Sequence, residues 1–120
     1  MLKKKVLSAT TDSDGDATVI VGGVYGKLFA VYWNKDGAAT GVDVALTSEG
    51  LFSKSLLTLT DANSSALYYP RDLVHDATGS ALTGTSGGDR EMPLVHGSLQ
   101  LVIDEGGATK TCSVTCWIEV

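Results

Sequence analysis

Two stretches in the last third of the chain alternate apolar and polar residues with a period of two. In Ser98–Ile103 the apolar positions are Leu99, Leu101 and Ile103, and in Lys110–Val120 they are Cys112, Val114, Cys116 and Ile118. Successive side chains of an extended strand point to opposite faces, so each stretch predicts a strand with one buried face. The connecting Asp104-Glu105-Gly106-Gly107-Ala108-Thr109 is rich in turn formers, and together they predict a β-hairpin. No stretch carries a sustained helical period with start and stop signals, so very little helix is expected.

The remainder of the chain reads the same way. Lys4–Thr10 and Ala17–Val21 predict strands on either side of Asp12-Ser13-Asp14-Gly15-Asp16, and Gly22-Gly23 is expected to break the second. Gly26–Asn34 has apolar residues on both faces, with Leu28, Ala30 and Tyr32 on one and Phe29, Val31 and Trp33 on the other. That pattern suits a strand covered twice, in a sandwich centre or at a subunit contact. Val42, Val44 and Leu46 alternate before Ser48-Glu49-Gly50 interrupts them; Leu57 and Leu59 alternate with Thr58 and Thr60; Ala66–Tyr69 is ended by Pro70. Arg71–Glu91 has no apolar period and is rich in Gly, Ser, Thr and Asp, which predicts a long polar loop. About eight short strands at this spacing predict an all-β, antiparallel sandwich of jelly-roll or immunoglobulin-like type. The 120 residues suit one domain, 1–120, without a linker.

Composition narrows the partners. Apolar residues at 43% and charged residues at 19% argue for a packed core over disorder. A net charge of −5 repels phosphate backbones, so nucleic acid is not an expected partner. The basic run Lys3-Lys4-Lys5 reads as a solvated strand start. No segment approaches the roughly 18 consecutive apolar residues of a membrane helix, so no membrane partner is expected. Met1–Leu7 has the positive residues of a signal peptide without the apolar stretch that follows one, which predicts synthesis in a cytoplasm.

Residues that could carry chemistry are few. Asp12, Asp14 and Asp16 alternate as in a calcium loop, but Ala17 and Gly23 stand where an EF-hand needs Gly and a carboxylate. They form a weak calcium candidate beside the simpler reading of an acidic turn. Gly84-Thr85-Ser86-Gly87-Gly88-Asp89 superficially suggests a serine nucleophile loop, and His75 and His96 are possible bases, but no spacing links them. Gly22-Gly23-Val24-Tyr25-Gly26 joins strands and opens no helix, so it lacks a phosphate site. Cys112 and Cys116 share a strand face roughly 13 Å apart, beyond the ~7 Å reach of a disulfide. Two buried apolar thiols are expected, with an interchain disulfide as the alternative. Tyr32, Trp33, Tyr68, Tyr69 and Trp117 are expected in core and interface packing, with a sugar platform as the alternative. No catalytic residue and no cofactor is expected.

Several pieces of the chain carry a resemblance. They are Tyr25-Gly26-Lys27-Leu28-Phe29-Ala30-Val31, Gly41-Val42-Asp43-Val44, Tyr69-Pro70-Arg71 with Val74-His75-Asp76, Gly79-Ser80-Ala81-Leu82, and Leu101-Val102-Ile103 with Gly106-Gly107-Ala108-Thr109-Lys110-Thr111. In this order they resemble a family of small structural proteins of tailed bacteriophages and prophages, encoded close to capsid and connector genes. The likeness runs over most of the chain, and Cys112–Trp117 departs from it. It implies a virion component without catalytic residues: a capsid cement or decoration protein bound outside an icosahedral head. The major capsid protein would be its partner and a trimer its expected homo-oligomer. Phe29, Val31, Trp33, Tyr69, Arg71 and His75 are the expected contact residues. A head–tail connector or tail component, and a carbohydrate-binding adhesin module, are the alternatives.

Overall fold

The computed structural model describes residues 1–82 and 90–120. Among these residues nine strands follow in chain order: β1 Leu2–Thr10, β2 Ala17–Asn34, β3 Asp43–Gly50, β4 Lys54–Leu59, β5 Ala66–Tyr68, β6 Asp72–Leu73, β7 Arg90–Glu91, β8 Leu94–Asp104 and β9 Thr111–Glu119. Every strand pairing is antiparallel, and there is no helix among the described residues. The main sheet runs β1-β9-β2-β8-β3-β4, with β5 also beside β2, while β6 and β7 pair separately.

The long β2 makes this one sheet into a sandwich. Its residues 17–27 pair with β8, whereas residues 27–34 pair with β9. One leaf is therefore β1-β9-β2-β5 and the other β2-β8-β3-β4. Leu7, Val31, Trp33, Val114 and Cys116 from the first leaf meet Val44, Leu46, Leu99 and Leu101 from the second in one core. Burial of these faces drives the closure, and each fully buried aliphatic side chain contributes about 1.5–3 kcal/mol.

Two bulges let β2 change leaf. Against β8 the register slips between Gly22 and Val24, leaving Gly23 extra at φ 71°. Against β9 it slips between Leu28 and Ala30, leaving Phe29 extra. Each bulge reverses which parity faces inward. Val24 and Leu28 are buried between the bulges, and Val31 and Trp33 after them, with Tyr32 exposed. The expected break at Gly22-Gly23 is thus corrected: glycine supplies the left-handed residue of a bulge, and strands 17–21 and 26–34 are one.

The expected hairpin between β8 and β9 is also corrected. Both stripes are buried as read, but β2 lies between the two strands. β8 ends with Ile103 opposite Ala17 at the start of β2, and β9 begins with Ser113 opposite Asn34 at its end. Because β2 folds over, the Glu105–Lys110 segment crosses between leaves. Alternation specifies a buried face and leaves the hydrogen-bonding partner open.

Two further boundaries moved. Strand β3 continues through Ser48-Glu49-Gly50, with Ser48 buried and its hydroxyl accepting the His96 N–H at 3.1 Å. The expected loop 71–91 contains the β6–β7 ladder and an isolated bridge between His75 and Ala81.

Candidate interaction surface

The register assigns the outer face of the first leaf. Leu2, Lys4 and Val6 of β1 stand opposite Glu119, Trp117 and Thr115 of β9, and Ala30 and Tyr32 of β2 stand opposite Trp117 and Thr115. Leu67 of β5 stands opposite Tyr32. Leu2, Phe29, Ala30, Leu67, Tyr69 and Trp117 line an apolar hollow of about 200 Å³ on this face. Phe29 is 38% exposed and Tyr69 55%, and Leu2, Val6 and Leu67 are exposed beside them. A contiguous exposed apolar patch on a small domain marks a contact surface more often than scattered apolar residues do.

Arg71 organises one rim of the hollow. Phe29 and Tyr69 meet edge to face, and the guanidinium lies 5.7 Å from the Phe29 ring centre and 6.0 Å from that of Tyr69. Its Nη1 donates to the Phe29 carbonyl at 2.9 Å and to the Pro70 carbonyl at 2.7 Å. Bulging leaves the Phe29 carbonyl outside the regular ladder, and Arg71 supplies its hydrogen bond. Arg71 also lines a charged cleft of about 390 Å³ with Lys54, Asp72, Leu73, His75, Arg90 and Glu91. Lys54 pairs with Asp72 there at 3.0 Å.

Of the residues expected to make contacts, Phe29, Tyr69 and Arg71 come together at the hollow and His75 lines the adjoining cleft. Val31 and Trp33 do not belong with them. Both are fully buried in the core, and Trp33 Nε1 donates to the Ala62 carbonyl at 3.1 Å. The bulge at Phe29 is the physical reason, because it turns Phe29 outward while Val31 and Trp33 point inward.

Asp12, Asp14 and Asp16 do not converge as ligands. Asp12 Oδ1 accepts the Asp14 and Asp16 N–H groups at 2.8 and 3.0 Å, and these bonds hold its carboxyl below the usual value. Asp16 turns to Asp104, and the shared hydrogen bond between the carboxyls, with burial and repulsion adding, raises its own value. The acidic oxygens that do gather are those of Asp43, Asp104 and Glu105, all within 4.8 Å of one another. The turn at 11–16, the β2–β3 connection and the β8–β9 connection pack at this end of the sandwich.

The other reactive residue types are dispersed. Asp76 accepts N–H and O–H bonds from Thr78 and the Ser80 N–H, which lower its carboxyl value and make it a turn former beside His75. The His96 ring lies 4.0 Å from that of Phe52. The serine loop Gly84–Asp89 lies outside the described residues. Cys112 and Cys116 are buried free thiols, and burial pushes Cys116 up to about 12. Both sulfurs are enclosed in the core of this chain.

Sequence reasoning missed Leu2 and Leu67 as surface residues. Their signal lies in register: only the β1-β9-β2-β5 order brings them beside Phe29 and Trp117. Comparison of the chain with protein-family models, with curated proteins and with solved structures finds no match in any of the three.

Proposed function

We propose that this chain is a virion structural protein of a tailed bacteriophage or prophage, a cement or decoration protein on the outside of the head. The single observation that carries a role in surface contact is the exposed apolar hollow formed by Leu2, Phe29, Ala30, Leu67, Tyr69 and Trp117. The assignment to a phage virion rests on the ordered resemblance of the quoted pieces to phage structural proteins. In this reading the hollow and the adjoining cleft around Arg71 and His75 contact the major capsid protein and neighbouring copies in a trimer. Binding only to the assembled shell stabilises that shell by mass action. The chain acts through this surface and catalyses no reaction.

The test compares heads with and without the protein. Heads lacking it should open at lower temperature, and adding it back should restore their heat stability. A reconstruction should place it outside the shell, with a copy number that scales with the capsid subunits. Unchanged heat stability rejects cementing, and a single ring at one vertex moves the protein to the head–tail junction.

A further inference from the structure

β1 is an open edge of the sheet, and its free side follows from the ladder. Among the described residues it pairs with β9 alone. At one end Val120 N–H donates to the Met1 carbonyl at 3.0 Å and Met1 N donates back at 3.4 Å; at the other, Thr11 N–H donates to the Lys110 carbonyl at 2.8 Å. In an antiparallel ladder, bonded pairs alternate with pairs whose backbone groups point away. The odd-numbered residues of β1 therefore bond β9, while Leu2, Lys4, Val6, Ser8 and Thr10 turn N–H and C=O groups to the open side.

The strand facing this edge is also unpaired on its near side. Among the described residues, 17–26 of β2 pair with β8 only. The turn at 11–16 joins β1 to β2, yet no ladder joins the two strands. A hollow of about 240 Å³ lies between Lys3 and Lys5 on one side and Gly23, Val24 and Tyr25 on the other, with Ile118 also in its wall. Lys4 projects to the opposite face of β1, so cationic side chains flank the edge on both faces. Among the described residues the ion pairs are Met1 with Glu119 and Lys54 with Asp72, leaving Lys3, Lys4 and Lys5 without a carboxylate partner.

An unbulged nine-residue edge is a template for strand addition. Its lysines select the occupant, because like charges directly opposite in a ladder are destabilising and opposite charges are favourable. A second β1 laid across the lysine stretch sets cation against cation. We propose that the open edge of β1 binds an extended acidic segment of a partner protein by strand addition, with carboxylates against Lys3, Lys4 and Lys5. This inference does not depend on the virion reading, since it names the chemistry that the edge accepts in any assembly.

The test titrates the full chain with the capped peptide Val-Thr-Val-Glu-Glu-Glu-Thr. Controls are the same peptide with Lys for Glu, and an equally charged one with Pro in place of the second Val. The acidic peptide should bind saturably and slow hydrogen exchange at the Lys4 and Val6 amides, while the Lys5 amide, already bonded to β9, changes little. The Pro and Lys peptides should each bind at least about tenfold more weakly, and a Lys3→Glu/Lys5→Glu variant should lose about tenfold for the acidic peptide. Equal binding of the Pro peptide, absence of slowing at Lys4 and Val6, or no saturable binding of the acidic peptide overturns the proposal. Circular dichroism of the variant checks its fold, and the exchange readout uses the unaltered protein.

Discussion

Phe29 and Tyr69 meet edge to face, with ring centres 5.9 Å apart and ring planes at 89°. The contact ties the bulge of β2 to the segment after β5, and Arg71 spans both rings while bonding the Phe29 carbonyl. Substituting Arg71→Ala should cost about 1 kcal/mol by urea denaturation, the scale of one net hydrogen bond with an exposed cation–π contact. Arg71→Lys should recover only part of it, because an ammonium lacks the planar fork. Unaltered stability of Arg71→Ala would show that the clamp is ornamental to the fold.

Gly97 and Gly22 form a contrasting pair. Gly97 has φ 148°, and a Cβ there would stand 2.7 Å from the Glu49 carbonyl oxygen; around Gly22 there is open space. Gly97→Ala should lower stability by about 1–3 kcal/mol, the usual scale of local backbone strain. Gly22→Ala should lie within about 0.5 kcal/mol of the parent. Thermal melts of the two variants suffice, and equal losses would contradict the close approach of β8 to β3.

The Asp16 and Asp104 carboxyls face each other, and the folded-state value of Asp16 is raised above its ordinary 3.8. A raised carboxyl binds its proton more tightly when folded, so stability falls as pH rises through this range and the penalty is complete at neutral pH. Asp16→Asn should therefore be more stable than the parent at pH 7, with the difference shrinking as pH falls toward 3.8. Denaturation curves across that interval decide it; a difference that grows on acidification has the wrong sign.

Cys116 is pushed up to about 12 by burial. Below the ordinary thiol value both states keep the proton; above it the unfolded chain ionises first, and stability declines until the folded value is reached. The stability of the parent minus that of Cys116→Ala should therefore decrease as pH rises from 9.0 toward 12. Both native thiols should also resist alkylation near pH 8, a threshold that only the thiolate crosses readily, and should react on unfolding. Rapid native labelling of either would place it outside the core.

Much of the fold is legible in single stretches of sequence. The stripe Cys112, Val114, Cys116 and Ile118 is buried as its alternation predicts, as are Leu99, Leu101 and Ile103. Of the residues lining the candidate surface, Phe29, Tyr69 and Arg71 are among those the sequence singles out, and the structure brings them together, whereas Leu2 and Leu67 carry no local signal. Val31 and Trp33 were assigned to the same group because uninterrupted alternation puts them on the face of Phe29. One bulged residue defeats that count, and nothing in Leu28-Phe29-Ala30 signals it as glycine does at Gly23.

The chemistry of each face is already set in the linear order of residues: period-two alternation makes strands, and the apolar stripe of each strand must leave water. Which strands then lie side by side was decided by tertiary structure. Backbone ladders are the same whatever the side chains, so β8 and β9 could have paired as a hairpin. They are separated because β2, shifted twice in register, supplies both with a hydrogen-bonding edge while closing one core between two leaves. The same closure leaves β1 with an unpaired edge and turns Phe29 to the surface, where the contacts of this protein are proposed to form.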